Sequence, residues 1–158
     1  MAGTDADKDG VLDRSDACPS EPGGRFDSNK NGCPGPWAQI KPRFIYGTIR
    51  TSRGIANISW LAIARLPEGS VVTLRAGSLL SMKLTVGKSG GVRTDRIGKI
   101  NFEGGATFDV RIVRAGFIGY DGRIEVSTAR RPFPVREQCI PAVGRPAPVR
   151  CNGVDRGK

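Results

Sequence analysis

Histidine is absent from all 158 residues. Its absence removes the usual general base at neutral pH, every Ser/His/Asp or Cys/His catalytic arrangement, and any zinc site built on imidazole. Aromatic residues are scarce at 6%, and no apolar run approaches the roughly 18–20 residues of a membrane span. No segment carries convincing helical periodicity either, so a helical bundle is not expected. The chain is too short for a barrel enzyme or for a doubly wound dinucleotide fold with a substrate domain; one domain with a small appendage fits. The opening MAGTDADKDG lacks the basic region and apolar stretch of a signal peptide, so the chain is expected to be either cytosolic or the mature part of an exported protein with a starting Met added.

Turn formers and cations are what the chain has in excess. Its 22 Gly and 11 Pro suit short strands joined by many turns. The 25 Lys and Arg outnumber the 15 Asp and Glu, for a net charge of +10, which admits anionic partners. The charge is segregated: residues 1–36 carry −3, so the remaining 122 carry +13. An acidic head precedes a basic body.

The 4 cysteines fall as two local pairs, Cys18 with Cys33 and Cys139 with Cys151. Even pairs at short spacing in a loop-rich chain read as disulfides of an oxidising compartment; free or metal-binding thiols are the alternative, though no CxxC spacing occurs. Closing a loop of roughly 15 residues contributes about 3 kcal/mol in the chain-entropy picture. An extracellular or cell-surface location follows as the expectation.

The head contains the densest chemistry. Asp5 to Asp16 reads DADKDGVLDRSD, which places Asp5, Asp7, Asp9, Asp13 and Asp16 at positions 1, 3, 5, 9 and 12 of a twelve-residue loop. Gly10 takes position 6 and Val11 position 7. This is the ligand spacing of an EF-hand calcium loop. Alternating carboxylates followed by a turn-forming Gly let side-chain oxygens converge on one hard cation, and the Val11 carbonyl adds another donor. Calcium is preferred over magnesium, because six to eight oxygens on a flexible loop suit the larger ion. Position 12 is Asp16 in place of the usual Glu, and CPSEPGG follows at once, so no helix-loop-helix is expected.

The punctuation after the loop identifies a resemblance. Asp5 through Cys18-Pro19, then SEPGGRF, then Asp27-Ser28-Asn29-Lys30-Asn31-Gly32-Cys33-Pro34, resembles the thrombospondin type 3 repeat, in which calcium loops ending in Cys-Pro are strung together. The same layout is similar to linker repeats of bacterial cell-envelope proteins. The resemblance implies that Asp5, Asp7, Asp9, Val11 (through its carbonyl), Asp13 and Asp16 ligate calcium. It also implies that Asp27, Asn29 and Asn31 begin a second loop, which Cys33 and Pro34 cut short. Such repeats have almost no apolar core, so cations and Cys18–Cys33 would replace one, coupling metal binding to folding.

Beyond Arg43 the pattern changes to period 2, the mark of half-buried strands. Phe44, Tyr46 and Thr48 are expected to share a face, as are Ile58, Trp60, Ala62 and Ala64, and then Val72, Leu74 and Ala76. Leu80, Met82, Leu84 and Val86 follow; Ile100 and Phe102; Phe108, Val110 and Ile112; and Ile124 with Val126. Turns are expected at Pro67-Glu68-Gly69, Gly90-Gly91, Gly104-Gly105 and Asp121-Gly122. The fold class expected is mainly β: an irregular calcium-loop segment over 1–36, then a seven-stranded antiparallel immunoglobulin-like β-sandwich over 37–130. The last part, 131–158, is expected as a Pro-rich, disulfide-closed tail lying over the sandwich. LPEGSVVTLRAG and GGATFDVRIVRAGFIGYDGRIEVS are similar to C-terminal sandwich modules of secreted actinobacterial proteins with calcium repeats upstream.

Catalysis finds little support. The acids of the body (Glu68, Asp95, Glu103, Asp109, Asp121, Glu125, Glu137 and Asp155) form no recognisable pair for glycoside chemistry, and Gly87 to Gly91 lacks phosphate-loop spacing. The expectation is a non-catalytic, calcium-binding module for adhesion, anchoring or assembly, with itself as one conceivable partner. The alternative is a module whose basic sandwich recognises an anionic cell-wall polymer or glycan. Arg43, Arg50, Arg53, Arg93, Arg96, Arg130, Arg131, Arg136, Arg145, Arg150 and Arg156 are then the candidate basic face. Nucleic acid is a less favoured partner outside the cell. Trp37, Phe44, Tyr46 and Trp60 are candidate sugar-stacking rings, a role that competes with core packing.

Overall fold

The computed structural model describes residues 3–6, 8, 10–15, 38–129 and 131–142. Contacts divide the chain into two units, Met1–Ala38 and Gln39–Lys158. In the first, the described residues form an irregular loop. In the second, the described residues are mainly β and hold no α-helix; a single 3₁₀ turn spans Arg96–Lys99. No helix among them is long and apolar enough to cross a membrane.

Among the described residues there are twelve strands where seven were expected: β1 Ala38–Gln39, β2 Arg43–Tyr46, β3 Ile49–Ser52, β4 Ile55–Ile58, β5 Leu61–Ala64, β6 Val71–Ala76, β7 Leu80–Thr85, β8 Val92–Thr94, β9 Phe102–Glu103, β10 Ala106–Val113, β11 Phe117–Val126 and β12 Phe133–Ile140. They form a six-stranded sheet in the order β1-β11-β10-β6-β7, with β12 also paired to β11, and two three-stranded sheets, β2-β5-β8 and β3-β4-β9. The inward side chains of all three sheets meet in one core that includes Ile58, Leu61, Ile63, Val72, Leu74, Phe108, Val110, Ile112 and Ile124. This arrangement is consistent with a β-sandwich.

Alternation holds wherever a strand has one wet face. In β10, Phe108, Val110 and Ile112 are buried while Asp109 and Arg111 between them are not, and in β6 the same holds for Val72, Leu74 and Ala76 against Thr73 and Arg75. Three local expectations give way. The run Ile58-Trp60-Ala62-Ala64 is not one face, because the chain breaks at Ser59-Trp60 between two strands of different sheets. Beyond that break it is Leu61 and Ile63 that are buried. Trp60 instead lies beneath the Arg93 guanidinium, 4.3 Å from its ring centroid.

Asp121-Gly122 is not a turn. Gly122 lies in the middle of β11, opposite Val110 on one side and Glu137 on the other. It is glycine for a packing reason: a Cβ there would meet the ring of Tyr120, two residues earlier on the same face. The hairpin turn between β10 and β11 comes earlier, at Arg114 to Gly116, closed by the Phe117 N–H donating to the Arg114 carbonyl at 3.1 Å.

Residues 133–140, expected in a surface tail, form the eight-residue strand β12. Proline is tolerated there because Pro134 sits at a register shift opposite Ile124, where the unpaired Val135 bulges out and is 48% exposed.

Candidate functional site

Two places carry enough charge to be functional. The first is the loop of the N-terminal unit. The Asp13 N–H donates to the Thr4 carbonyl at 2.8 Å, and the Ala6 N–H donates to Asp13 Oδ1 at 3.0 Å. The chain between them turns back at Gly10, whose φ of 94° belongs to the left-handed region that glycine enters without a Cβ clash. From there the Gly10 N–H donates to Asp5 Oδ2 at 3.0 Å. Asp5 and Asp13, two of the expected ligands, are thus fastened by backbone N–H groups into one turn and half-buried, and Val11 is half-buried with them.

Carboxylate oxygens of Asp5 and Asp13 thus face into one turn, and oxygen donors of this kind are the ones calcium takes. Asp7, Asp9, Asp16, Asp27, Asn29 and Asn31 lie outside the described residues, as do Cys18, Cys33 and Cys151. Among the described residues alone, no three acidic or cysteine side chains gather as a metal-holding group.

The second place is the outer face of the six-stranded sheet. Strand register brings together side chains far apart in sequence: Arg75 on β6 opposes Asp109 on β10, which opposes Arg123 on β11, which opposes Arg136 on β12. In the adjacent row, Lys83 on β7 opposes Thr73 on β6, which opposes Arg111 and then Asp121. Thr73, Arg75, Lys83, Asp109, Arg111, Asp121 and Arg136 line a shallow groove of about 460 Å³. The two carboxylates are engaged toward the β11–β12 side. Asp109 accepts from Arg123 Nε at 2.9 Å, and Arg136 Nη2 lies 4.0 Å from Asp109 and 3.7 Å from Asp121. The hydrogen bond to Asp109 raises the pKa of Arg123 further, so that guanidinium stays charged. Arg75 and Lys83 are exposed and make no ion pair with a described residue.

The candidate basic face is only partly assembled. Arg136 belongs to the groove. Arg43 and Arg50 lie on the small sheets, and Arg93 pairs with Trp60 and, at 3.5 Å, with Asp95. Arg130, Arg145, Arg150 and Arg156 fall outside the described residues. The cations that strand register does bring together, Arg75, Lys83, Arg111 and Arg123, are not among the arginines of the expected basic face. The aromatic candidates do not form an exposed platform. Phe44 stacks on Tyr46 with centroids 6.5 Å apart, and both are half-buried and pack against the core; Trp37 is outside the described residues.

Two phenols, Tyr46 on β2 and Tyr120 on β11, are held in low dielectric. Burial pushes Tyr46 and Tyr120 well above 10.0, with the Glu137 charge adding to the shift at Tyr120 and Arg131 opposing it at Tyr46. On the rim of the six-stranded sheet, Gln39 Nε2 donates to Cys139 Sγ at 3.2 Å. No cysteine among the described residues is free. No protein-family model, curated protein or solved structure matches the chain.

Proposed function

We propose that the N-terminal unit is a calcium-stabilised segment of thrombospondin type 3 character, and that the β-sandwich body is a non-catalytic extracellular module for anchoring, adhesion or assembly. The observation that supports it most is the closed turn of the acidic loop. Positions 1 and 9 of the calcium spacing, Asp5 and Asp13, are already tied by the N–H groups of Gly10 and Ala6, and the chain reverses at position 6. Asp5, Asp7, Asp9, Asp13, Asp16 and the Val11 carbonyl would hold the ion. The ion would neutralise a run of carboxylates that otherwise repel one another, so its role is structural and its binding is coupled to folding. Asp27, Asn29 and Asn31 would either share that ion or bind one weakly.

Disulfides Cys18–Cys33 and Cys139–Cys151 belong to the same reading, as does the immunoglobulin-like class of the sandwich. Calorimetric titration of calcium into chelator-treated, oxidised protein tests it. Saturable binding that raises the unfolding temperature supports the head as a structural metal site.

A second reading is favoured by one observation. The groove on the outer face of the six-stranded sheet is lined by four cations, Arg75, Lys83, Arg111 and Arg136, against two acids, Asp109 and Asp121. On this reading the body binds an anionic polymer, and retention on such a polymer that collapses with added salt supports it.

A further inference from the structure

We infer that the open edge of β7 and the cleft at its start form a docking site for an extended, acidic segment of a partner protein, which adds to the six-stranded sheet as a further strand. This surface is distinct from the acidic loop and shares only Lys83 with the outer-face groove. β6 lies on one side of β7, and no described residue pairs with the other side. The register says which groups face that open side. The Val86 N–H donates to the Ser70 carbonyl at 2.9 Å, one step beyond the Val71 and Thr85 pair. Bonded and non-bonded pairs alternate along an antiparallel ladder, so Leu80, Met82 and Leu84 bond to β6, while Ser81, Lys83 and Thr85 turn their N–H and C=O groups outward. None of these outward groups bonds to another described residue, and all three side chains are exposed. On the far side of the sheet, β12 is guarded by Pro134 and a bulge. β7 has neither, and an edge left in that state is a template for an added strand.

The side chains around the edge select the strand. On the inward face, Met82 and Leu84 are half-buried at the border of the core, so apolar side chains on alternate residues of the added strand extend that core. On the outward face stands Lys83. At the start of β7, Leu79, Leu80, Arg96, Lys99, Ile100 and Asn101 line a cleft of about 280 Å³. Arg96 and Lys99 are three apart in the 3₁₀ turn, a spacing at which side chains eclipse. Neither makes an ion pair with a described residue, and no carboxylate lines the cleft. Leu79 beside them is 71% exposed. Lys83, Arg96 and Lys99 are therefore matched by acidic side chains, and the apolar cleft wall by aliphatic ones. A phosphate or sulfate polymer meets the charges but has no alternating N–H and C=O groups to bond the edge, whereas a peptide has both. A second copy of β7 carries a lysine and no acid, so it offers these cations nothing.

The test uses the full oxidised chain at fixed calcium and an acetylated peptide of alternating Val and Glu long enough to span β7, with amide hydrogen exchange read by NMR and affinity by titration. In the free protein the amides of Ser81, Lys83 and Thr85 are expected to exchange fast and those of Met82 and Leu84 slowly; the peptide is expected to slow the first three to the rate of their neighbours. An N-methylated counterpart, which keeps the charges and loses the donors, is expected not to bind. Arg96→Gln with Lys99→Gln is expected to weaken binding about fivefold, as two lost exposed ion pairs would, and Arg50→Gln with Arg53→Gln on the small sheet to change it by less than about twofold. All four side chains are exposed, so thermal unfolding of both variants is expected to match wild type. No protection of the three amides overturns the site. Equal binding by the N-methylated counterpart overturns strand addition, and equal binding by a peptide of alternating Val and Lys, or equal weakening by both variants, overturns the acidic assignment. Protection of the same amides in concentrated protein without peptide, with a rise in sedimenting mass, gives the edge to a second copy and overturns the partner named here.

Discussion

Replacing Gly122 by alanine tests the packing logic that a turn-like dipeptide conceals. In most strand interiors Gly→Ala is favourable, by about 0.4–1 kcal/mol, because it narrows the unfolded ensemble. Here the added Cβ would lie 2.6 Å from Tyr120 Cε1 and 2.7 Å from Cζ. The ring cannot swing clear, since Tyr120 is 5% exposed and its centroid is 5.9 Å from that of Phe44. Overpacking of this kind costs about 1–3 kcal/mol. At about 2 kcal/mol the melting temperature of a body this size falls by roughly 6–12 °C.

Urea unfolding of wild type, Gly122→Ala, Tyr120→Ala and the double variant would isolate the contact. Because truncating the ring makes room for the new methyl, the double variant should be more stable than the sum of the singles predicts, by about 1 kcal/mol or more. Additive singles, or a Gly122→Ala within about 0.5 kcal/mol of wild type, would refute the reasoning.

Alkaline pH gives a second test. Both phenols are protonated in the fold at pH values where the unfolded chain ionises near 10.0. The stability they hold is therefore fully present below pH 10 and is lost as pH rises above it, by about 1.36 kcal/mol per pH unit for each. Because the chain has only 2 tyrosines, phenolate absorbance should appear together with unfolding, and ionisation near pH 10 in folded protein would contradict this. For the Cys139–Cys151 pairing, Cys139→Ser should lower stability by about 3 kcal/mol. Peptide mapping of the oxidised chain should recover the two residues linked, and a link from Cys139 to Cys18 or Cys33 would refute the pairing.

The β character of the body was legible because a sheet with one wet face alternates, as Phe108-Val110-Ile112 against Asp109 and Arg111 does. The reading failed where a local signal had two causes. Asp121-Gly122 has turn chemistry, but Gly122 is glycine for want of room beside Tyr120. The Ile58 to Ala64 run keeps a period of two only if the break at Ser59-Trp60 goes unseen, and at that break the chain changes sheets. Pro132 and Pro134 argued against a strand over 133–140, yet a bulge at Val135 accommodates the second of them.

The acidic spacing could be read from sequence because all of its residues are local. The basic groove could not, because Arg75, Lys83, Arg111, Arg123 and Arg136 are brought together only by pairing register, which solvent-facing residues do little to encode.

The central claim is tested most directly by titrating calcium into chelator-treated, oxidised protein, wild type beside Asp7→Ala/Asp9→Ala, while following heat of binding and thermal unfolding. Saturable binding to wild type is expected, with an unfolding transition that shifts upward as calcium rises and no comparable binding in the double variant. Absence of binding at millimolar calcium, or equal binding by the double variant, would contradict the account of the head as a structural calcium site.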